Sequence, residues 1–167
     1  DDDNAGNPVM GGASRWWLHH SLQALHASMD KKLSVYHGNP QTILDDILKR
    51  FDVEAVYWNR CYEPWRMQRD TIIKKNLKKR GIEVHTCNGS LLWEPWKIKK
   101  DDGTPYKVFT PFYRRGCFNA EAPIAPLPKP ESVNYIDDKN HLGIDALNLL
   151  PKIPWDKQLE PHWDIGE

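Results

Sequence analysis

The order in which a β-prone run, a polar turn and a helix follow one another across residues 55–81 limits the fold of this chain more than any other stretch. Ala55-Val56-Tyr57-Trp58 is rich in the β-branched and aromatic types that suit a sheet. Asn59-Arg60-Cys61-Tyr62-Glu63 then reads as a turn, and Pro64 stands where a helix can start, because the first helical N–H has no partner to lose. Ile72, Ile73 and Leu77 fall at helical spacing, and Gly81 ends the run as a C-terminal glycine does. In an open α/β sheet, ligands bind at the turn between a strand's carboxyl end and the next helix. Residues 59–66 are therefore the candidate site.

The flanking segments extend this pattern. Ser14 is the expected N-cap of a first helix whose Leu18, Leu22, Leu25 and Met29 form one stripe. Leu33-Ser34-Val35-Tyr36 reads as a short strand closed by Gly38-Asn39-Pro40. Asn39 can cap, and Pro40 can open, a helix with the apolar face Ile43, Leu44, Ile47, Leu48 and Phe51. After the central unit, residues 82–87 make a last strand, ended by Asn88-Gly89. Short strands alternating with longer helices imply crossover connections and a parallel sheet, hence an α/β fold. No strand precedes the first helix, and Asp1-Asp2-Asp3-Asn4 with Gly6-Asn7-Pro8 reads as a polar loop. The chain is thus expected to begin inside a domain.

From Ser90 the pattern changes. Residues 91–96 are extended and aromatic, Asp101-Asp102-Gly103 is a turn, and residues 106–112 form a second aromatic run before Arg114-Arg115. Pro123, Pro126, Pro128, Pro130, Pro151, Pro154 and Pro161 crowd the last third, so residues 119–167 suit a long linker that packs on something else or stays mobile.

Composition excludes some classes. With 40% hydrophobic residues and a formal net charge of zero, the 167-residue chain can bury a core, and its global charge demands no polyanionic partner. Three cysteines without a C-x-x-C pair fit a reduced compartment. No apolar run approaches the roughly 18 residues a membrane span needs. A soluble, cytoplasmic protein without membrane contact is expected.

Chemical constellations are sparse. No G-x-G-x-x-G and no G-x-x-x-x-G-K-[ST] is present. Gly11-Gly12-Ala13-Ser14 can be read as an anion site at a helix start or as a flexible lead-in with a serine cap. His19 and His26 lie two turns apart, yet no carboxylate or cysteine completes a four-ligand set, and surface histidines are expected. Cys61 near Glu63 has no histidine base close in sequence. Lys74, Lys75, Lys78, Lys79 and Arg80 fit a solvated face and the helix dipole. Arg114 and Arg115 behind the aromatic run suit either a phosphate and base platform or packing against another domain. No catalytic residue and no metal ligand is assigned, so any reaction centre lies elsewhere.

Four segments resemble the photolyase/cryptochrome family, on the class I DNA photolyase side. They are Ala13-Ser14-Arg15-Trp16 with its helix, Gly38-Asn39-Pro40, Val56-Tyr57-Trp58-Asn59 with Glu63-Pro64 and Arg69-Asp70, and Gly103-x-Pro105 followed by residues 106–112. His162-Trp163 and Gly166-Glu167 are similar to the words that open the family's helical domain. The resemblance implies a Rossmann-like antenna domain over residues 1–118, its parallel sheet in the order 3-2-1-4-5 with the first two strands missing. It also implies an interdomain linker over residues 119–167, leading to an absent helical domain that binds FAD and damaged DNA.

In that family an antenna pigment of folate or deazaflavin type passes excitation to reduced FAD, which splits a cyclobutane pyrimidine dimer. The resemblance therefore implies a part of a deoxyribodipyrimidine photolyase that is inactive alone. A cryptochrome photoreceptor, or a generic nucleotide-binding α/β module, is the alternative. Arg15, Cys61 and Glu63 match positions lining a deazaflavin-type pocket, while Trp65-Arg66 replaces the Asn-Glu pair of some folate binders. Glu63 could then accept from a ring N–H or hydroxyl, Arg15 could face an anionic tail, and Trp65 could stack. Without a family, Glu63 simply complements the helix N-terminus and Arg15 pairs at the surface. The implied partners are damaged DNA, through the full-length protein, and the chain's own helical domain.

Overall fold

Two parallel strands need a crossover, because a hairpin can only reverse the chain. In the computed structural model, which describes residues 10–165, that crossover is the central unit read from the sequence. β1 (Ala55–Asn59) runs into α3 (Pro64–Lys79), which returns to β2 (Glu83–Cys87), and β1 pairs in parallel with β2. The register places Val56 beside Val84 and Tyr57 beside His85. Among the described residues the sheet has these two strands only, with an α1 (Gly12–Ser28) and an α2 (Pro40–Arg50) earlier in the chain. The architecture is α/β.

The chain forms two compact units. One comprises Phe51–Lys129, and the other joins the residues up to Arg50 with those from Pro130 onward.

In the Phe51–Lys129 unit, α3 begins at Pro64, and its end is closed by backbone geometry. The Gly81 N–H donates to Lys78 O and the Ile82 N–H to Leu77 O, while Gly81 takes φ +78°. This is a Schellman closure, and a side chain at Gly81 would be strained in that region. It delivers Ile82 directly into β2. Leu77, fully buried at 0% exposure, and Ile73 face the interior, whereas Ile72 points to solvent. Val56, Trp58, Val84 and Thr86 are half-buried on one sheet face. On the other, exposed face, Tyr57 and His85 stack at 4.6 Å. Further along, the 106–112 aromatic run leads through a helical turn (Phe109–Pro111) into a π-type turn (Phe112–Gly116). Gly116 is buried there, and a Cβ at that position would lie 2.7 Å from the Ile98 side chain.

In the other unit, α2 follows its sequence signals. Asn39 Oδ1 accepts from the Gln41 and Thr42 N–H groups, and Pro40 opens the helix. Four expectations fail in this unit. Gly11, not Ser14, precedes α1, and it makes no side-chain cap. The α1 side chains that become buried are Trp16 and His19, while Leu25 of the expected stripe is exposed. Hence His19 is not a surface histidine; its own burial, then neighbouring His20, lowers its pKa. Finally, residues 33–36 form no strand. Val35 makes one antiparallel bridge, to Leu142.

That bridge belongs to a wider attachment of the proline-rich tail. Asp138 is buried, accepts from Arg50 Nη1 at 2.5 Å and accepts from the Tyr36 hydroxyl, and Leu149 is buried as well. Of the two behaviours expected of the tail, packing is the one realised for these residues. The polar loop expected at Asp1–Asn4 and Gly6–Pro8, and the family words at Gly166-Glu167, lie outside the described residues.

Leu77→Ala should destabilise the Phe51–Lys129 unit by about 2–5 kcal/mol, with Ile72→Ala within about 0.5 kcal/mol of the parent, both read from urea unfolding. Equal effects would contradict the packing. A second expectation concerns acid. The Arg50 hydrogen bond, then that of Tyr36, holds the Asp138 carboxyl well below the usual carboxylate range. Its stabilisation is therefore complete above the unfolded value of about 3.9 and is lost as pH falls below it. Asp138→Asn should flatten the decline of melting temperature below pH 4. An unchanged acid profile would contradict the role given to Asp138.

Candidate functional site

The carboxyl end of β1 and the start of α3 bring three of the four expected site residues onto one short turn. Cys61 is half-buried, with Arg66 Nη1 3.7 Å from its Sγ. Glu63 occupies the position before α3, is exposed, and makes no hydrogen bond to the helix start. Its carboxylate lies 3.5 Å from Arg66 Nη1, a surface pair of small energetic weight. Trp65 is half-buried on the first turn of α3, and the guanidinium groups of Arg66 and Arg69 lie 5.0 and 5.5 Å from its ring centroid. Both cations lie over the indole ring, a cation–π arrangement.

Two donors at this turn are buried and unused. Trp65 Nε1 and Arg66 Nε have no hydrogen-bond partner among the described residues. Buried donors normally find an acceptor; the Trp16 indole N–H, in the other unit, is in the same state. The fourth expected residue, Arg15, belongs to the other unit. There it is half-buried, and its guanidinium donates to the Asn148 carbonyl.

A polar anchor under the turn went unread in the sequence. Arg60 Nε donates to Glu94 Oε1 at 2.6 Å, its Nη1 donates to Thr86 Oγ1 at 3.0 Å and also to the Thr86 carbonyl, and the Tyr62 hydroxyl donates to Glu94 Oε1 at 2.8 Å. The Arg60 guanidinium also sits 5.7 Å from the Trp96 ring. Burial opposes ionisation of Glu94, but hydrogen bonds from Arg60 and then Tyr62 outweigh it and lower its pKa. Burial first, and then the bond to Glu94, raise the Tyr62 pKa. The one available signal was Glu94 itself, an acid within an otherwise apolar and aromatic segment. At the end of β2, a Cβ on Gly89 would meet the Asn59 side chain at 2.2 Å, so a glycine lets the two strand ends meet.

Among the described residues no group of His, Cys, Asp and Glu side chains could hold a metal, and no helix is long and apolar enough to cross a membrane.

Comparison with known proteins gives a consistent answer. The DNA photolyase family model matches residues 1–131. The deoxyribodipyrimidine photo-lyase of Agrobacterium fabrum is 36% identical over 164 residues, which cover 95% of this chain and 34% of that protein. Cryptochrome-2 of Arabidopsis thaliana is 35% identical over 125 residues, covering 72% of this chain and 20% of that protein. The crystal structure of a bacterial class III photolyase from Agrobacterium tumefaciens matches with a TM-score of 0.83 at 35% identity, over 92% of this chain and 33% of that one. The chain thus spans about a third of the length of these two photolyases.

Glu94→Gln should loosen the turn while leaving α3 intact. Amide hydrogen exchange over residues 60–63 is expected to speed up at least tenfold, with residues 70–79 unchanged. Unaltered exchange at the turn would show that Glu94 does not anchor it.

Proposed function

Because the chain belongs to the DNA photolyase family, we propose that it is the antenna-bearing α/β part of a light-dependent DNA repair enzyme, a deoxyribodipyrimidine photolyase. In this reading residues 1–118 form the antenna domain, and residues 119–167 lead toward the helical domain that binds FAD and damaged DNA. The photolyase reading is preferred to the cryptochrome one because the likeness to the Agrobacterium fabrum photo-lyase extends over 95% of the chain, against 72% for cryptochrome-2.

The pigment site is assigned to the β1–α3 turn. The supporting observation is the pair of unused buried donors, Trp65 Nε1 and Arg66 Nε. They fit a flat ring carrying acceptor oxygens or nitrogens. The exposed Glu63 carboxylate accepts from a ring N–H or hydroxyl, Trp65 stacks on the pigment, and the Arg66 and Arg69 guanidinium groups over the indole favour an electron-rich or anionic ring. Cys61 lines the same turn, its Sγ 3.7 Å from Arg66 Nη1. Arg15, which in the other unit donates to the Asn148 carbonyl, keeps its proposed role toward an anionic tail of the pigment. Trp65-Arg66 stands where Asn-Glu serves folate in some relatives, which favours a deazaflavin-type pigment over a folate. When bound, such a pigment supplies near-UV or blue-light absorption, whose excitation serves FAD in splitting a cyclobutane pyrimidine dimer.

Titrating the purified chain with 8-hydroxy-5-deazaflavin and with methenyltetrahydrofolate, followed by pigment absorption, tests the site. Saturable deazaflavin binding is expected, at least tenfold tighter than folate and at least tenfold weaker in Trp65→Ala. Absence of pigment binding, indifference to Trp65→Ala, or tight ATP binding in place of pigment would overturn the assignment. For the parent protein, light-dependent dimer repair by the intact gene product is expected; FAD binding without repair would favour the photoreceptor.

A further inference from the structure

We propose that His19 on α1 is a proton-operated latch for the proline-rich tail: with its imidazole neutral, residues 144–163 stay docked on α1, and proton uptake releases them. The device lies within one unit, the one that joins the residues up to Arg50 with those from Pro130 onward. A 3-10 turn (Ile144–Leu147) packs against α1, and three further contacts hold the residues after it to the same helix. The Arg15 guanidinium donates to the Asn148 carbonyl. Trp17 meets the Trp163 ring edge-on at 5.7 Å, and a Cβ at Gly12 would sit 3.4 Å from the Trp155 ring. Apart from Leu149, which is buried, these tail residues stay largely open to water, with Trp163 56% exposed. Docking is therefore shallow, and a small change in free energy can reverse it.

His19 supplies that change. It is 3% exposed, and its Nδ1 has no hydrogen-bond partner among the described residues. The His20 ring lies 5.3 Å away and in turn meets the buried Trp16 ring at 4.7 Å. Trp16 Nε1, a donor only, is also unpartnered, so this neighbour offers nothing that a cation could use. The titratable groups acting on His19 are His20 from its own helix and Asp145 from the 3-10 turn. A second cation at His20 would oppose protonation, whereas Asp145 favours it but is exposed and screened. Burial first, then His20, outweigh Asp145 and depress the His19 pKa in the docked state. Once undocked, the imidazole regains its ordinary value near 6.5. Protons thus bind the undocked form better, so docking is complete above about pH 6.5 and is lost as pH falls below it. The Asp138 carboxyl titrates well below this window and stays charged throughout it.

The test is amide hydrogen exchange on the full chain, corrected for intrinsic rates, over residues 142–150 between pH 7.5 and pH 5. Protection there should fall at least threefold and at most about thirtyfold, the limit for one imidazole of ordinary value near 6.5. Residues 70–79 of α3, in the other unit, should keep their protection. His19→Phe, which fills the same space without titrating, should abolish the fall. Asp145→Asn removes the one favourable partner, so its fall should exceed that of the parent; this variant decides the matter if His19→Phe does not fold. His141→Gln, altered beside the Val35–Leu142 bridge, should respond to pH as the parent does. The proposal is overturned by constant protection at residues 142–150, by an equal fall in α3, by a fall that survives His19→Phe, by an Asp145→Asn fall no larger than the parent's, or by a response lost in His141→Gln.

Discussion

A parallel strand pair separates its own ends, and everything at the β1–α3 turn depends on how that separation is closed. β1 and β2 can stay in register only while α3 lies against them, and α3 is held by one fully buried side chain, Leu77, with Ile73 one turn before it. The backbone bonds at Gly81 and Ile82 then convert the helix end into the start of β2 without a loop to spare. Because helix and strand are fixed at both ends, the turn leaving β1 has a defined position. Side chains on it are aimed by the scaffold and need not find their own order.

The charged anchor works on the same turn from below. Arg60 reaches Thr86 on β2 and Glu94 beyond it, so one guanidinium ties the strand end to two later segments. With Arg60 so engaged, Glu63 is left exposed with Trp65 half-buried beside it, and Trp65 Nε1 and Arg66 Nε have no hydrogen-bond partner among the described residues. Under the proposed function this division of labour is what a pigment site needs: a part-buried charge pair for rigidity, and an aromatic side chain for the ring.

Legibility in the sequence followed the range of the forces involved. Local signals read correctly: Asn39 and Pro40 at α2, Pro64 and Gly81 at the ends of α3, and the two paired strands. Each rests on backbone geometry within a few residues. Residues 33–36 misled because β-propensity speaks to a pleated, half-buried surface and not to the existence of a pairing partner; their one bridge is to Leu142, more than a hundred positions away. His19 misled for a related reason. Histidine is at home on surfaces, and only tertiary packing buries it. The Arg60–Glu94–Tyr62 anchor spans 34 positions and has no spacing rule that could reveal it. That Cys61, Glu63 and Trp65 share one strand-to-helix turn was legible from the order of strand, turn and helix signals along residues 55–66.

The most direct measurement of the pigment site follows the indole N–H resonances of the eight tryptophans during addition of a deazaflavin. The Trp65 indole signal, assigned through Trp65→Phe, should shift downfield and saturate with the pigment absorption change, as its unused donor gains an acceptor. A saturating absorption change with the Trp65 signal unmoved would contradict the site.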